Sequence, residues 1–176
     1  RPYLGVNVSV SDINAEDFPE RVAAILAEEG MPAERLILEV TEDMLLGDSG
    51  NVAQVLGRLR ALGLRIAIDD FGTGYSSMSY LSSFMVNIIK IDQSFIRNLI
   101  DSSSDQKIVR AIVSMAADLE LSVVTEGVET PEQKELLRQM GCRLLQGYLF
   151  GRPQPAHSWL GEKGLDLEAF QPFPAT

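Results

Sequence analysis

The 176-residue sequence is poor in the residues that build disulfide-stabilised domains and soft-metal centres. It contains one cysteine, Cys142, and one histidine, His157. A single cysteine cannot form an internal disulfide, which indicates a reducing compartment. Because zinc sites are built from several cysteines and histidines, the sequence also argues against a zinc centre.

Long apolar runs and an excess of positive charge are also missing. No stretch of the sequence approaches the ~20 apolar residues that a membrane-spanning helix needs. The formal net charge is −10, which argues against a nucleic-acid polymer as partner, because phosphate backbones bind clustered Lys and Arg. We therefore expect a cytoplasmic domain. The first residue, Arg1, suggests a piece of a longer protein, in which other domains could provide a membrane anchor, as in a membrane-anchored sensor.

The sequence instead alternates short β-branched runs with segments of helical period. The runs predict strands at 4–10, 35–40, 65–70, 86–92, 121–129 and 143–150. The periodic segments predict helices at 16–29, 52–62, 105–119 and 130–141. The last helix begins with a capping box formed by Thr130 and Gln133. Six such units predict parallel strands joined by helical crossovers.

Polar residues decide between the two folds that share this alternation, the open doubly wound sheet and the (β/α)8 barrel. They lie within or at the carboxyl end of separate strands, where barrels gather their active groups. These residues are Asn7, Glu39, Asp69, Asp70, Lys90, Glu126 and Gln146. Since a closed barrel has eight strands and ~250 residues, we expect a TIM-type (β/α)8 barrel that is incomplete here, with about six units. The missing part is expected before Arg1.

Strand alternation gives a more detailed expectation for the first strand. Gly5, Asn7 and Ser9 share one face and should point to the barrel axis. Val6, Val8 and Val10 take the other face and should pack on the helices.

The segment RIAIDD (65–70) raises an electrostatic problem. Two adjacent carboxylates at the end of a buried strand repel each other unless a cation lies between them. Glu39 and Glu126 add negative charge that one lysine, Lys90, cannot neutralise. One or two hard divalent cations can, and oxygen ligands suit Mg²⁺ or Mn²⁺. The predicted metal ligands are Asn7, Glu39, Asp69, Asp70 and Glu126.

Most of these residues also have a simpler structural explanation. Glu39 and Glu126 could lie on the solvated surface, although their apolar neighbours argue against it. Asp70 could be a cap or a turn residue, and Asn7 a hydrogen-bonded core amide. Lys90 could be a counter-ion for Asp92. The glycines of the loop 72–74 match only part of a phosphate-binding motif and are better explained by a sharp turn, with the following serines starting a short helix. The coincidence of polar groups at matching strand ends favours a common site.

The motifs together resemble those of the EAL family. They are VNVS (6–9), LEVTE (38–42), DDFGTGYSS (69–77), KID (90–92), EGVET (126–130) and QGYLF (146–150). The resemblance covers nearly the whole chain, as one domain over 1–176 with a terminal tail at 165–176. It implies a bacterial TIM-barrel phosphodiesterase that opens cyclic di-GMP to pGpG with two Mg²⁺ or Mn²⁺ ions.

The same resemblance assigns roles to individual residues. The catalytic set would be Lys90, Asp70 and Glu126, with Lys90 orienting or deprotonating the attacking water. The metals would be held by the five ligands given above, and Gln146 would lie against the substrate. Glu42 would brace the glycine loop and Glu129 would support the metal shell. A homodimer that forms near the glycine loop is also expected.

The Glu-Ala-Leu signature of the family does not occur in these 176 residues. Its glutamate would be a further metal ligand, so we expect this chain alone to be weakly active or inactive. One alternative is therefore a non-catalytic cyclic di-GMP receptor or scaffold. Another is an unrelated metal-dependent barrel hydrolase or lyase, which would explain the carboxylates but not the series of motifs.

Overall fold

The computed structural model describes residues 3–45, 49–74 and 86–155. In these residues six parallel strands pair strictly in sequence order, so that β1 and β6 are the two edges of the sheet. The strands are β1 Leu4–Asn7, β2 Leu36–Thr41, β3 Arg65–Phe71, β4 Ile88–Ile91, β5 Ser122–Thr125 and β6 Leu144–Leu145. Six consecutive parallel strands with helical crossovers form an incomplete (β/α) barrel, as the sequence predicted.

Helices connect the strands. They are α1 Val10–Ile13, α2 Phe18–Glu28, α3 Glu42–Leu45, α4 Ser49–Ala61, α5 Gln93–Arg97, α6 Ser103–Asp118 and α7 Pro131–Gln139, with a 3₁₀ turn at Ala33–Arg35. The four helices predicted from sequence are α2, α4, α6 and α7, with ends that differ by one to three residues. Both halves of the capping box between Thr130 and Gln133 are present. Within the described residues, no helix has the length and apolarity that crossing a bilayer requires.

The prediction of a strand over 4–10 was wrong at its carboxyl end. The strand ends at Asn7, and Ser9 becomes the N-cap of α1, because its hydroxyl accepts a hydrogen bond from the Asp12 N–H at 3.2 Å. The Asp12 side chain accepts from the Ser9 N–H in return. Val10, expected to pack on the helices, is instead the first residue of α1 and 56% exposed. The local Ser-x-x-Asp capping signal therefore outweighs the β propensity of the valines.

The last two predicted strands are also shorter than expected. They end at Thr125 and Leu145, and each is followed within two residues by a glycine of positive φ. The chain beyond them forms loops that hydrogen-bond to each other, with the Val128 N–H donating to the Gln146 carbonyl at 3.0 Å. Gln146 therefore follows β6 rather than lying in it. The predicted tail at 165–176, the serines at 76 and 77, and His157 lie outside the described residues.

The sheet has an apolar layer on each face. The larger layer lies between the sheet and the helices and includes Val40, Leu59 and Ile68. The smaller layer lines the barrel interior and contains Ile37, Ala67 and Ile88, with Tyr3 and Val124 packed against it. Gly5 belongs to the interior face, because a Cβ placed there would lie 2.5 Å from Glu39 Oε1. The barrel interior thus leads from apolar side chains to carboxylates.

Burial on α4 predicts where truncation destabilises the fold. Leu59 is fully buried, whereas Leu62, one residue beyond the helix, is 40% exposed. We expect Leu59→Ala to lower the free energy of unfolding by about 2–5 kcal/mol, because it leaves a cavity. The matched Leu62→Ala change should cost about 0.5 kcal/mol or less. Urea unfolding followed by circular dichroism measures both, and equal losses would contradict the packing.

Candidate active site

The polar residues singled out from the sequence gather at the carboxyl ends of the parallel strands. Glu39 lies in β2, Asp69 and Asp70 in β3, Lys90 in β4, and Glu126 follows β5 directly. Parallel strands that pair in order place their carboxyl ends at one edge of the sheet, which is the active face of a barrel. The fold therefore brings together residues that are up to 87 positions apart in the sequence.

Lys90 is the centre of this group. Its Nζ lies 2.6 Å from Glu39 Oε2, 2.9 Å from Asp69 Oδ1 and 2.8 Å from Glu126 Oε1. The Lys90 side chain is 7% exposed and the three carboxylates 17–19%. The alternative role of Lys90 as counter-ion for Asp92 is not what the structure shows. Asp92 caps α5, where its Oδ1 accepts from the Ser94 N–H at 3.0 Å.

Burial and charge shift the pKa values of the cluster in a consistent way. Burial disfavours the ammonium of Lys90, but its hydrogen bonds to Glu126, Glu39 and Asp69 outweigh that cost and raise the pKa of Lys90. Burial likewise raises the pKa of Glu126, against the opposing effect of its hydrogen bond to Lys90. Partial burial, followed by the charges of Asp69 and Asp92, raises the pKa of Asp70. Lys90 is therefore a protonated donor in this arrangement, and the carboxylates retain an excess of negative charge.

Adjacent residues of a regular strand point to opposite faces, yet Asp69 and Asp70 both serve one cluster. An irregularity in β3 makes this possible. The pairing register with β4 shifts between Ile68 and Phe71, and Asp70 has a φ of 53°. A left-handed conformation is uncommon outside glycine and occurs preferentially at functional sites. Nothing in the run RIAIDD signalled this bulge, apart from the difficulty of explaining two adjacent aspartates.

Three of the predicted metal ligands form a compact oxygen group. Asp69, Asp70 and Glu126 each offer a carboxylate oxygen, and these atoms all lie within 4.8 Å of one another. Several carboxylate oxygens at one point fit a hard cation such as Mg²⁺ or Mn²⁺. Glu39 is connected to this group through Lys90. Asn7 is exposed and is placed beside Glu39 by the pairing of β1 with β2.

The two residues predicted to support the site, Glu42 and Glu129, differ in burial. Glu42 is buried at the start of α3, and its Oε2 accepts from the Gly72 N–H at 3.2 Å. Its Oε1 is buried without a hydrogen-bond partner among the described residues. Glu129 is exposed, and its N–H donates to Gln133 Oε1 at 2.8 Å. Glu42 therefore connects the end of β2 to the glycine loop that follows β3.

A cavity of about 780 Å³ opens beside the cluster and follows the barrel interior. Glu39, Lys90 and the exposed Gln146 are among its lining residues. Tyr148 and Arg152 also line it, and the Arg152 guanidinium stacks 4.4 Å from the centre of the Tyr148 ring. The volume is in the range of small-molecule sites. Arg152 was missed in the sequence, where only its position after the QGYLF motif could have drawn attention to it.

The EAL domain family matches residues 2–153 of the chain. The chain belongs to this family. The EAL domain is 45% identical over 155 residues to the cyclic di-GMP phosphodiesterase NbdA of Pseudomonas aeruginosa, a match that covers 88% of this chain and 20% of NbdA. It is 42% identical over 157 residues to the bifunctional diguanylate cyclase/cyclic di-GMP phosphodiesterase MucR of the same organism, covering 89% and 23%. The chain thus spans about a fifth of the length of these curated relatives.

Solved structures show the same fold. The EAL domain superposes on the PaMucR phosphodiesterase in its c-di-GMP complex with a TM-score of 0.85 and 42% identity, over 90% of this chain and 64% of that one. The manganese/cy-diGMP complex of Klebsiella pneumoniae BlrP1 at pH 6 gives 0.81 and 36%, over 86% and 39%. These two similarities agree with the incomplete barrel.

Removing the shared ammonium should make the stability of the EAL domain depend on divalent ions. In Lys90→Met the three carboxylates lose their buried counter-ion, so we expect the free energy of unfolding in EDTA to fall by on the order of 3 kcal/mol. Mn²⁺ should restore part of this loss, because the oxygen group remains. Thermal melts with and without Mn²⁺ measure the effect. The exposed Lys107→Met is the matched control and should change neither the stability in EDTA nor the response to Mn²⁺. A Lys90→Met variant that behaves like this control would contradict the role of Lys90 as shared counter-ion.

Proposed function

We propose that this EAL domain, within its longer protein, hydrolyses cyclic di-GMP to pGpG in a divalent-metal-dependent reaction of bacterial second-messenger signalling. The observation that carries the proposal is the oxygen group of Asp69, Asp70 and Glu126. Lys90 contacts this group and lines a cavity of about 780 Å³. Family membership and the names of NbdA and MucR support the substrate. The unrelated barrel hydrolase or lyase is set aside, because it does not explain the family match.

The cofactor in this proposal is a pair of Mg²⁺ or Mn²⁺ ions. Asn7, Glu39, Asp69, Asp70 and Glu126 would hold them, and the complexes of BlrP1 with manganese and calcium support a cation at this face. Bound divalent ions supply activation of a water and stabilisation of charge on the transferring phosphoryl group. The oxygen-only donor set fits this assignment better than a zinc site.

The remaining roles belong to side chains of the domain. Lys90 would keep its proton and donate it in a hydrogen bond that orients the attacking water, which its raised pKa favours over deprotonating that water. Asp70 and Glu126 would complete the catalytic set. Gln146 would contact the substrate from the cavity wall. Glu42 would hold the glycine loop through Gly72, and Glu129 would support the metal shell from the loop after β5.

A non-catalytic receptor for cyclic di-GMP is the second candidate function. It is favoured by one feature of the site, namely that Lys90 engages Glu39, a predicted metal ligand, at 2.6 Å. The absence of the Glu-Ala-Leu signature from these 176 residues points the same way for the isolated chain. A receptor would bind the dinucleotide without producing pGpG.

The oligomeric state and the location of the protein complete the proposal. We propose a homodimer whose interface lies near the glycine loop 72–74; residues 75–85, which follow this loop, are outside the described part of the chain. A cytoplasmic location, with any membrane attachment through other domains, is supported by the single cysteine. Cys142 is buried, and burial raises the pKa of its thiol to about 11, which keeps it unreactive at neutral pH.

Turnover by the protein that contains this domain tests the proposal directly. With cyclic di-GMP and Mn²⁺ we expect pGpG to accumulate, and EDTA to abolish it. Asp69→Asn should lower kcat by at least about 100-fold, because it removes a charged oxygen ligand. The exposed Asp118→Asn at the end of α6 is the matched control. Ion-exchange chromatography of the products measures all four reactions, and no pGpG from the unaltered protein would exclude the phosphodiesterase.

Assays of the isolated 176-residue chain show whether a lack of turnover belongs to the fragment or to the protein's function. We expect little or no pGpG from it, because the family glutamate is absent and the sheet has two free edges in the described residues. Calorimetry and product chromatography on one sample separate binding from hydrolysis. Rapid turnover by the fragment would contradict this expectation, and binding without turnover by the complete protein would favour the receptor.

A further inference from the structure

Gln133 is a buried polar side chain to which none of the proposed roles applies. It lies in the first turn of α7, on the outside of the sheet, and is only 6% exposed. Buried amides are normally retained only where their donors and acceptors are satisfied. The partners of Gln133 are therefore informative about what it holds in place.

The amide of Gln133 makes more hydrogen bonds than a capping box requires. Its Oε1 accepts from the N–H groups of Glu129 and Thr130, at 2.8 and 3.1 Å. Its Nε2 donates to the Ile96 carbonyl at 3.0 Å, a buried bond to a residue 37 positions away. The capping box accounts for the bond to Thr130 alone. The other two bonds connect the segment after β5 to the last turn of α5.

This connection closes a loop of contacts around Glu126. At its start, the Glu126 N–H donates to the Ile91 carbonyl of β4 at 3.1 Å. In the middle, Gly127 has a φ of 71°, and a Cβ placed there would lie 2.5 Å from the Gln93 Cβ of α5. At its end, Gln133 joins Glu129 to α5. The segment 126–130 is thus held at three points against the β4–α5 unit, which also carries Lys90.

We propose that Gln133 is a positioning residue that keeps the carboxylate of Glu126 against the ammonium of Lys90. It acts by joining the segment 126–130 to α5 across the outside of the sheet. Loss of the amide would remove the bond that joins the segment to Ile96 and would leave the N–H groups of Glu129 and Thr130 without their acceptor, so the segment would open locally instead of keeping one geometry. Its effect on turnover rests on the proposed phosphodiesterase function, whereas its effect on the segment does not.

Native-state hydrogen exchange of the protein containing this domain tests the positioning role without any metal or substrate. In Gln133→Met we expect the amides of Glu126 and Val128 to exchange at least about 10-fold faster relative to that of the buried Ile89, a reporter of global opening. Gln133→Glu keeps both acceptor atoms but places a carboxylate oxygen against the Ile96 carbonyl, so it should also accelerate exchange at the same amides.

Two matched variants separate positioning from simple loss of helix stability. Thr130→Ala removes the cap hydroxyl of the same helix, and Gln139→Ala removes an exposed amide at its other end. We expect neither to accelerate exchange at Glu126 beyond the change at Ile89. Equal acceleration in Thr130→Ala and Gln133→Met would overturn the proposal, because a frayed α7 would then be sufficient explanation.

The second readout is turnover with Mn²⁺ and cyclic di-GMP. We expect Gln133→Met to lower kcat by about 10–100-fold with a KM change of about twofold or less, as is typical when the support of a metal ligand is lost. Unchanged kcat together with faster exchange would overturn the positioning role. If the unaltered protein produces no pGpG, the phosphodiesterase proposal fails, and the exchange measurement still decides whether Gln133 holds the segment.

Discussion

The structure of the acidic face depends on one buried ammonium shared by three carboxylates. Lys90 lies within 2.9 Å of oxygens on Glu39, Asp69 and Glu126, which belong to β2, β3 and the segment after β5. Removing these charges from water is costly, and their mutual repulsion adds to the cost. Lys90 offsets only part of it, since Asp70 adds a further carboxylate beside the group. The excess of negative charge at the strand ends is the physical argument for the proposed divalent-cation site.

Several local departures from regular structure serve this arrangement. The bulge in β3 and the left-handed Asp70 turn two adjacent carboxylates toward one point. Gly5 leaves space for the Glu39 side chain in the barrel interior. Beyond β5 and β6, the loops bond to each other instead of extending the strands, and Gln133 of α7 bonds to α5. Regular elements therefore supply the frame, and irregular segments at its carboxyl edge orient the charged groups.

The open edge of the sheet agrees with the chain matching only part of a related structure. All four residues of β1 are exposed, as expected for a strand at the open edge of an incomplete barrel. The structure of the PaMucR phosphodiesterase extends beyond the matched region, since this chain covers 64% of it. An unpaired parallel edge is a surface on which other strands can add. The proposed chemistry is for this reason assigned to the domain within a longer protein.

The sequence by itself determined the elements and their order, because those depend on local patterns. Helical periodicity located α2, α4, α6 and α7, the capping box fixed the start of α7, and polar residues at strand ends predicted a common face. Even there, the capping signal at Ser9 was missed, which placed Val10 in a strand when it begins α1. Tertiary structure decided the rest, because it depends on which strands become neighbours. Lys90 is shared by three carboxylates, a bulge turns Asp70 toward them, and Gln133 bonds to Ile96. Each of these arrangements depends on residues that no local sequence period relates.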